Sequence, residues 1–368
     1  MIYLDYNATT PIDTQVAEAI LPYIHGNFGN PSSSHEYGIA AKEIVETARQ
    51  QVAGLLGAKH SEIIFTSGGS ESNNSVIKGV AHTLRDKGKH IITSQIEHPA
   101  VMEPCRFLEK NGYKITYVPV DRFGYVQPAD IEKAMTSNTI LVTIMHANNE
   151  TGSIQPIAEI SAICREHGVL FHTDAAQSAG KIPTLVDELG VDFLTVAGHK
   201  LYAPKGIGAL YIREGITIEP LIHGAAHENG RRAGTENVIF EAGLGKACEI
   251  ALNLLKDHSV RDLTNNFYQS LKTLFVDKIQ LHGQLENRLP NTLFISFLGF
   301  PADAVKKNLS DVAVSSGSAC HTGETTISPV LKAMGCNSDE VGEVIRFSLG
   351  RFTTKVEIDR VLTKLSSL

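Results

Sequence analysis

VLFHT at residues 169–173 closes on Asp174, and DFLTV at 192–196 runs on into Ala-Gly-His-Lys at 197–200. Each is a short apolar run ending in polar residues, as expected of strands covered on both faces, with ends open to solvent. Working outward, the same kind of run recurs as IIFT (63–66), HIIT (90–93), ITYVPV (115–120) and ILVTIM (140–145), with helical periodicity between them at 70–86, 98–111, 128–135 and 156–167. Strands alternating with helices predict an α/β fold with a mainly parallel sheet and right-handed crossovers. After GIGALYI (206–212) the rhythm changes. Two long helical patterns (236–256 and 259–276) lead to NTLFISF (291–297), a helix near 301–309, VAVSS (312–316), VIRFSL (344–349) and a terminal helix from 354, an α+β arrangement. The division expected is a large domain over 13–256 and a small one over 257–368, joined by residues 1–12.

The length of 368 residues suits two domains. Charged residues make up 20% and hydrophobic ones 42%, enough for a substantial core, and 33 Lys and Arg stand against 40 Asp and Glu for a net charge of −7. Without a basic tract, nucleic acid and anionic membranes are not expected partners. The five cysteines are odd in number and lack any C-x-x-C pair, so neither disulfides nor a metal cluster are expected, and a reducing cytoplasm fits. No signal peptide or apolar span is read.

In an open α/β sheet, ligands gather beyond the carboxyl ends of the strands. After IIFT comes SGGSESNN (67–74), where small residues including Gly69 and Ser70 open a helix and let N–H groups approach an anion; a plain glycine turn is the alternative. Asp174 either pairs with a cation or caps the next helix. Lys200, at the end of DFLTV, completes a set in which an amine for a Schiff base, an acid and a phosphate cradle converge, the requirements of pyridoxal phosphate (PLP). His98 follows HIIT and either stacks on a flat cofactor or caps its own helix. Asn148 and Asn149 offer amides or form an Asx turn. Cys320, in the Ser-, Thr- and Gly-rich stretch 315–329, reads as an accessible nucleophile, whereas Cys105, Cys164 and Cys248 fall on apolar helical positions and Cys336 is undecided. Arg346, on an apolar strand, either grips a substrate carboxylate or forms a structural salt bridge.

Taken together, IYLDYNATTP (2–11), FGNPSS (28–33), TSGGSESNN (66–74), EHPAV (97–101), NNETG (148–152), HTDAAQS (172–178), GHKLYAPKGIGALY (198–211), RRAGTEN (231–237), SSGSAC (315–320) and RFSLGRFTT (346–354) resemble the NifS/IscS-type cysteine desulfurases and the related selenocysteine lyases. The resemblance implies the PLP-dependent fold type I of the class V aminotransferases, with a seven-stranded, mainly parallel sheet in the large domain. It implies that Lys200 bonds PLP, Asp174 pairs with the pyridine nitrogen and His98 stacks on the ring. Gln177 and Asn149 then serve the phenolic oxygen, and Gly69, Ser70 and His199 the phosphate. Asn149 and Arg346 bind substrate, Cys320 attacks its sulfur, and Thr235 reaches the phosphate of a second subunit, making a homodimer. The implied reaction turns L-cysteine into L-alanine and hands sulfur to an acceptor protein, as in iron–sulfur cluster assembly. Ala197, Ala225 and Ala226 depart from the desulfurase pattern, and Ala-Cys-His (319–321) is similar to the lyases, for which L-selenocysteine is the substrate. An aminotransferase would have no use for Cys320, and a sulfur-transfer scaffold no use for Lys200, Asp174 and His98.

Overall fold

Seven short strands, every one of them near a run picked out above, assemble into one sheet in the computed structural model, which describes residues 1–321, 324–337 and 341–368, with backbone alone over 318–326. After a two-residue strand β1 (Ile2–Tyr3) the chain forms β2 (Ile63–Thr66), β3 (His90–Ser94), β4 (Lys114–Val118), β5 (Thr139–Thr143), β6 (Leu170–Asp174), β7 (Phe193–Ala197) and β8 (Gly208–Ile212). The spatial order is β2-β8-β7-β6-β5-β3-β4. All neighbours are parallel except β8, which runs against both β2 and β7. The carboxyl ends of β2, β3, β5, β6 and β7 therefore share one edge.

Successive residues on a strand point to opposite faces, so each run of buried residues serves two cores. Phe65, Ile92, Val142 and Leu194 pack with α2 (Glu36–Leu56) and the helix Val238–Leu254, while Ile64, Ile91, Leu141 and Phe193 pack with α3 (Gly69–Thr83) and α4 (Pro99–Lys110). The helix α1 (Thr14–His25) lies against Val238–Leu254. Neither α1 nor α2 is anticipated above.

A third core joins Leu4 to Phe267, Leu271, Ile295, Phe347 and Val361. It lies under an antiparallel sheet of β9 (Ile279–His282), β10 (Thr292–Phe297), β12 (Ser315–Ser316) and β15 (Glu343–Ser348), in the order β12-β15-β10-β9. VAVSS does not form one strand. Its first half is β11 (Val312–Ala313), parallel to β1, and its second half is β12, paired with β15. The hairpin strands β13 (Ser318–His321) and β14 (Glu324–Ile327) pair with each other.

One buried ion pair holds the end of the large sheet. Arg49 of α2 donates to both oxygens of Glu228 at 2.7 and 2.9 Å and to the Ile63 carbonyl at 2.9 Å, and Glu228 also accepts the Phe65 N–H at 3.1 Å. Strand β2 is thereby pinned just before its glycine turn. Among the described residues no helix is long and apolar enough to cross a membrane.

Candidate active site

A cavity of about 400 Å³ opens at the shared strand edge and is closed from the far side by Asn7, Ala8 and Arg346. One of its polar walls is the start of α3. Gly68 has φ of 144°, a conformation that L side chains rarely adopt, and a Cβ on Gly208 of β8 would stand 2.7 Å from the Gly68 Cα. The glycines thus let the turn lie flat on the sheet. No side chain caps α3, so its first N–H groups, at Gly69 and Ser70 on the cavity wall, present the positive end of a helix.

Asp174 ends β6 with its carboxylate oriented by two donors, Asn73 Nδ2 at 2.7 Å and the Ala176 N–H at 2.9 Å. Asn73, which supplies the first, stands in the quoted SGGSESNN stretch and also lines the cavity. The helix-cap alternative for Asp174 reduces to the single turn bond to Ala176.

His98 caps its own helix, α4, and also faces the cavity. Its Nδ1 accepts the Ala100 N–H at 3.1 Å. An accepting Nδ1 fixes the neutral tautomer with its proton on Nε2. Burial pushes the imidazole pKa below its usual value, with Asp174 opposing and Lys200 reinforcing the shift.

Lys200 leaves β7 through a single turn, Gly198–Lys200. Its Nζ donates to the carbonyls of Asn7 and Ala8, the latter at 2.7 Å. Burial, helped by Arg346, lowers the ammonium to a pKa of about 8, against the pull of Asp5 and Asp174. An amine that begins to release its proton near neutral pH is suited to both nucleophilic attack and proton transfer. His199, beside it, is brought to about 4 by burial, with Lys200 next in effect.

Arg346 forms the structural salt bridge of its second reading. It pairs with Asp5 at 2.7 Å and donates to Ser315 Oγ at 2.9 Å and to the Asn149 carbonyl at 3.0 Å. It lines the cavity nonetheless, and its buried Nε has no partner among the described residues. Gln177 and Asn149 are on the wall. Asn148 is not: its Oδ1 accepts the N–H groups of Glu150 and Thr151 at 2.8 and 3.0 Å, an Asx turn that aims its neighbour. Thr235 does not line the cavity. Cys105, Cys164 and Cys248 are buried, and Cys336 is half-buried. The Cys320 side chain and the residues Thr322 and Gly323, with the accessibility expected of that thiol, lie outside the described residues.

Glu97, beside His98, is fully enclosed: Ser94 Oγ donates to it at 2.6 Å and the Met145 N–H reaches both oxygens at 3.0 and 3.1 Å. Burial raises its pKa to about 8, more than these donors lower it. In the unfolded chain the same carboxyl titrates near the ordinary ~4.3. Between these two values the unfolded state has shed a proton that the folded state keeps, so this group's stabilising contribution is complete below the lower value and is lost as pH rises through the upper one. Glu97→Gln is expected to flatten the decline in stability between about pH 5 and 9. Urea midpoints across that range check it; parallel wild-type and variant curves would show that Glu97 is ionised in the fold.

The sequence pattern of the family "Aminotransferase class-V" matches residues 2–361. The chain belongs to the class-V aminotransferases. Within them it is 50% identical to the cysteine desulfurase IscS of Dictyoglomus turgidum, over 100% of this chain and 94% of that protein. Among solved structures of the same fold, a NifS-like protein superposes with a TM-score of 0.92 at 38% identity, over 100% of this chain and 98% of that one. A structure titled SspA in complex with cysteine follows at 0.83 and 37%, covering 96% and 100%. The cavity of this class-V chain fits PLP: an anionic tail would meet the opening of α3, a protonated ring nitrogen would meet Asp174, and a Cβ added at Gly69 would contact Ala197 at 3.4 Å and narrow the cradle.

Proposed function

We propose that this chain is a PLP-dependent cysteine desulfurase acting on L-cysteine. The observation that carries the reading is the convergence of Lys200, Asp174, His98 and Arg346 on one cavity, in a chain whose full-length relatives are cysteine desulfurases. Lys200 would bond the cofactor, and Gly69, Ser70 and His199 would hold its phosphate. Asp174 would keep the ring nitrogen protonated, His98 would cover the ring, and Gln177 and Asn149 would face its phenolic oxygen. When bound, PLP supplies an electron sink for the substrate carbons. Arg346 would fix the substrate carboxylate. The Cys320 thiolate then takes the substrate sulfur: the carbon–sulfur bond breaks as a persulfide sulfur–sulfur bond forms, the electron pair stays with carbon, and protonation yields L-alanine.

Purified protein incubated with L-cysteine and a thiol reductant is expected to form alanine and sulfide in equal amounts. Alanine from L-selenocysteine alone would replace the reading with a selenocysteine lyase, towards which Ala-Cys-His at 319–321 points. Two domains, over 13–256 and over 257–368 with 1–12, a cytoplasmic location and a sulfur-acceptor protein such as one of iron–sulfur cluster assembly belong to the same proposal.

The protein would work as a homodimer, with Thr235 of each subunit completing the phosphate site of the other. This rests on Thr235 standing away from its own cavity and within RRAGTEN. Sedimentation is expected to give twice the chain mass, and Thr235→Ala to weaken PLP binding about tenfold, the value of one hydrogen bond to a charged group. A monomer with full PLP affinity would remove both claims.

A further inference from the structure

Behind the wall that carries Gln177 lies a second cavity of about 100 Å³, lined in part by Lys181, Lys200, Tyr6 and Tyr202. Lys181 does not touch the main cavity. Its Nζ donates to two side-chain oxygens, Gln177 Oε1 at 3.0 Å and Asn7 Oδ1 at 3.1 Å. Neither is a carboxylate. Burial, with Lys200 and Arg346 nearby, lowers its pKa well below the usual lysine range. Either charge state has two N–H donors for these two oxygens.

The network around it has a fixed direction. Gln177 Nε2 donates at 2.9 Å to the backbone carbonyl of Asn7, which can only accept. With nitrogen on that side, Gln177 Oε1 faces Lys181. Asn7 is oriented in the same way: its Nδ2 donates to the Asn149 carbonyl at 3.2 Å and to Thr292 Oγ1 at 2.8 Å, and its Oδ1 accepts from Lys181 and from Asn291 Nδ2 at 3.0 Å. Lys181 thus sits at the donor end of a chain that sets the amide orientation of two residues on the cavity wall. Gln177 Nε2 keeps a second hydrogen, unused by the protein among the described residues.

We propose that Lys181 is a positioning residue, which grips Gln177 Oε1 from behind so that Gln177 turns an N–H, and not its carbonyl oxygen, into the cavity. This deepens the reading of the cavity as a PLP site, where that N–H would face the phenolic oxygen. Without Lys181, Oε1 loses its partner, and only the single bond from Nε2 to the Asn7 carbonyl is left to hold the amide.

Two readouts test it. In protein freed of cofactor and labelled with ¹⁵N at glutamine side-chain amides, the Gln177 pair, identified by its loss in Gln177→Glu, is expected to be dispersed and slow to exchange with solvent. In Lys181→Met, and in the milder Lys181→Gln should the first not fold, it collapses to the position of a mobile amide. With cofactor bound, the pH midpoint of the visible band is expected to rise by about one unit in Lys181→Met, the loss of one donor to a phenolate. The double variant Lys181→Met/Gln177→Glu should shift no further than Gln177→Glu alone, because residues acting through one another are not additive. An unchanged Gln177 amide signal in both Lys181 variants, or an additive double variant, overturns the proposal. Absence of a visible band in the wild type would instead remove the PLP reading and leave the amide measurement standing.

Discussion

Replacing Lys200 with alanine lowers turnover of cysteine at least about 1,000-fold, since both the covalent hold on the cofactor and the principal base are removed at once. The fold survives and gains. The Lys200 ammonium titrates near 8 in the folded chain, against ~10.4 when unfolded. Below the lower value both states are charged and the folded state bears the full cost of burying that charge; above the upper value both are neutral and the cost is gone. Cofactor-free Lys200→Ala should therefore melt no lower than cofactor-free wild type at pH 7. Borohydride reduction of the loaded enzyme, followed by peptide mapping, should label Lys200. A label on Lys181, which lines the second cavity and not the main one, would move the covalent site there.

Cys320→Ala is the second large effect. Sulfide release from cysteine is expected to fall at least about 100-fold, the lower range for loss of a catalytic group, while PLP content and the spectral change on adding cysteine persist. That separation follows from the placement of Lys200, Asp174 and Arg346, which rests on strand ends, on Asn73 and on Asp5. Desulfuration at the wild-type rate would end the thiol-attack mechanism. Retained activity towards selenocysteine alone would favour the lyase.

Most of the sheet could be read in advance because its strands are buried on both faces and interrupted by turns; the strand of ITYVPV and that of ILVTIM simply stop two residues early. The helix α2, 21 residues long, escaped because its buried positions include alanine, glycine and arginine, so its apolar stripe is faint. Lys200, Asp174 and His98 were legible because each follows a strand. Asn73 was missed although it stands in a quoted motif, since only the folded chain brings α3 across β6 to Asp174. Asn7 was missed for a related reason: its partners Gln177, Asn149 and Thr292 are scattered through the sequence. For His98 and Arg346 a structural role and a place on the cavity wall turn out to be compatible. One ring nitrogen caps a helix while the ring lines the cavity, and one guanidinium nitrogen pairs with Asp5 while another is left over.

The threading of the first eight residues has a consequence for the order of events at the ribosome. Asp5, Asn7 and Ala8 are translated before anything else in the site, yet the Asn7 N–H is held by Ser348 Oγ at 2.9 Å and Asp5 by Arg346, both 341 residues downstream. A domain that folds as it emerges can complete the large sheet while this N-terminal strip still lacks its partners Ser348 and Arg346. Asn7, whose carbonyl lies under the Lys200 amine, is then held by Gln177 and Lys181 without the support of Ser348, and the cavity lacks Arg346. Cofactor capture should accordingly be a late, post-release event, and nascent chains arrested before residue 346 should fold around the large sheet without retaining PLP.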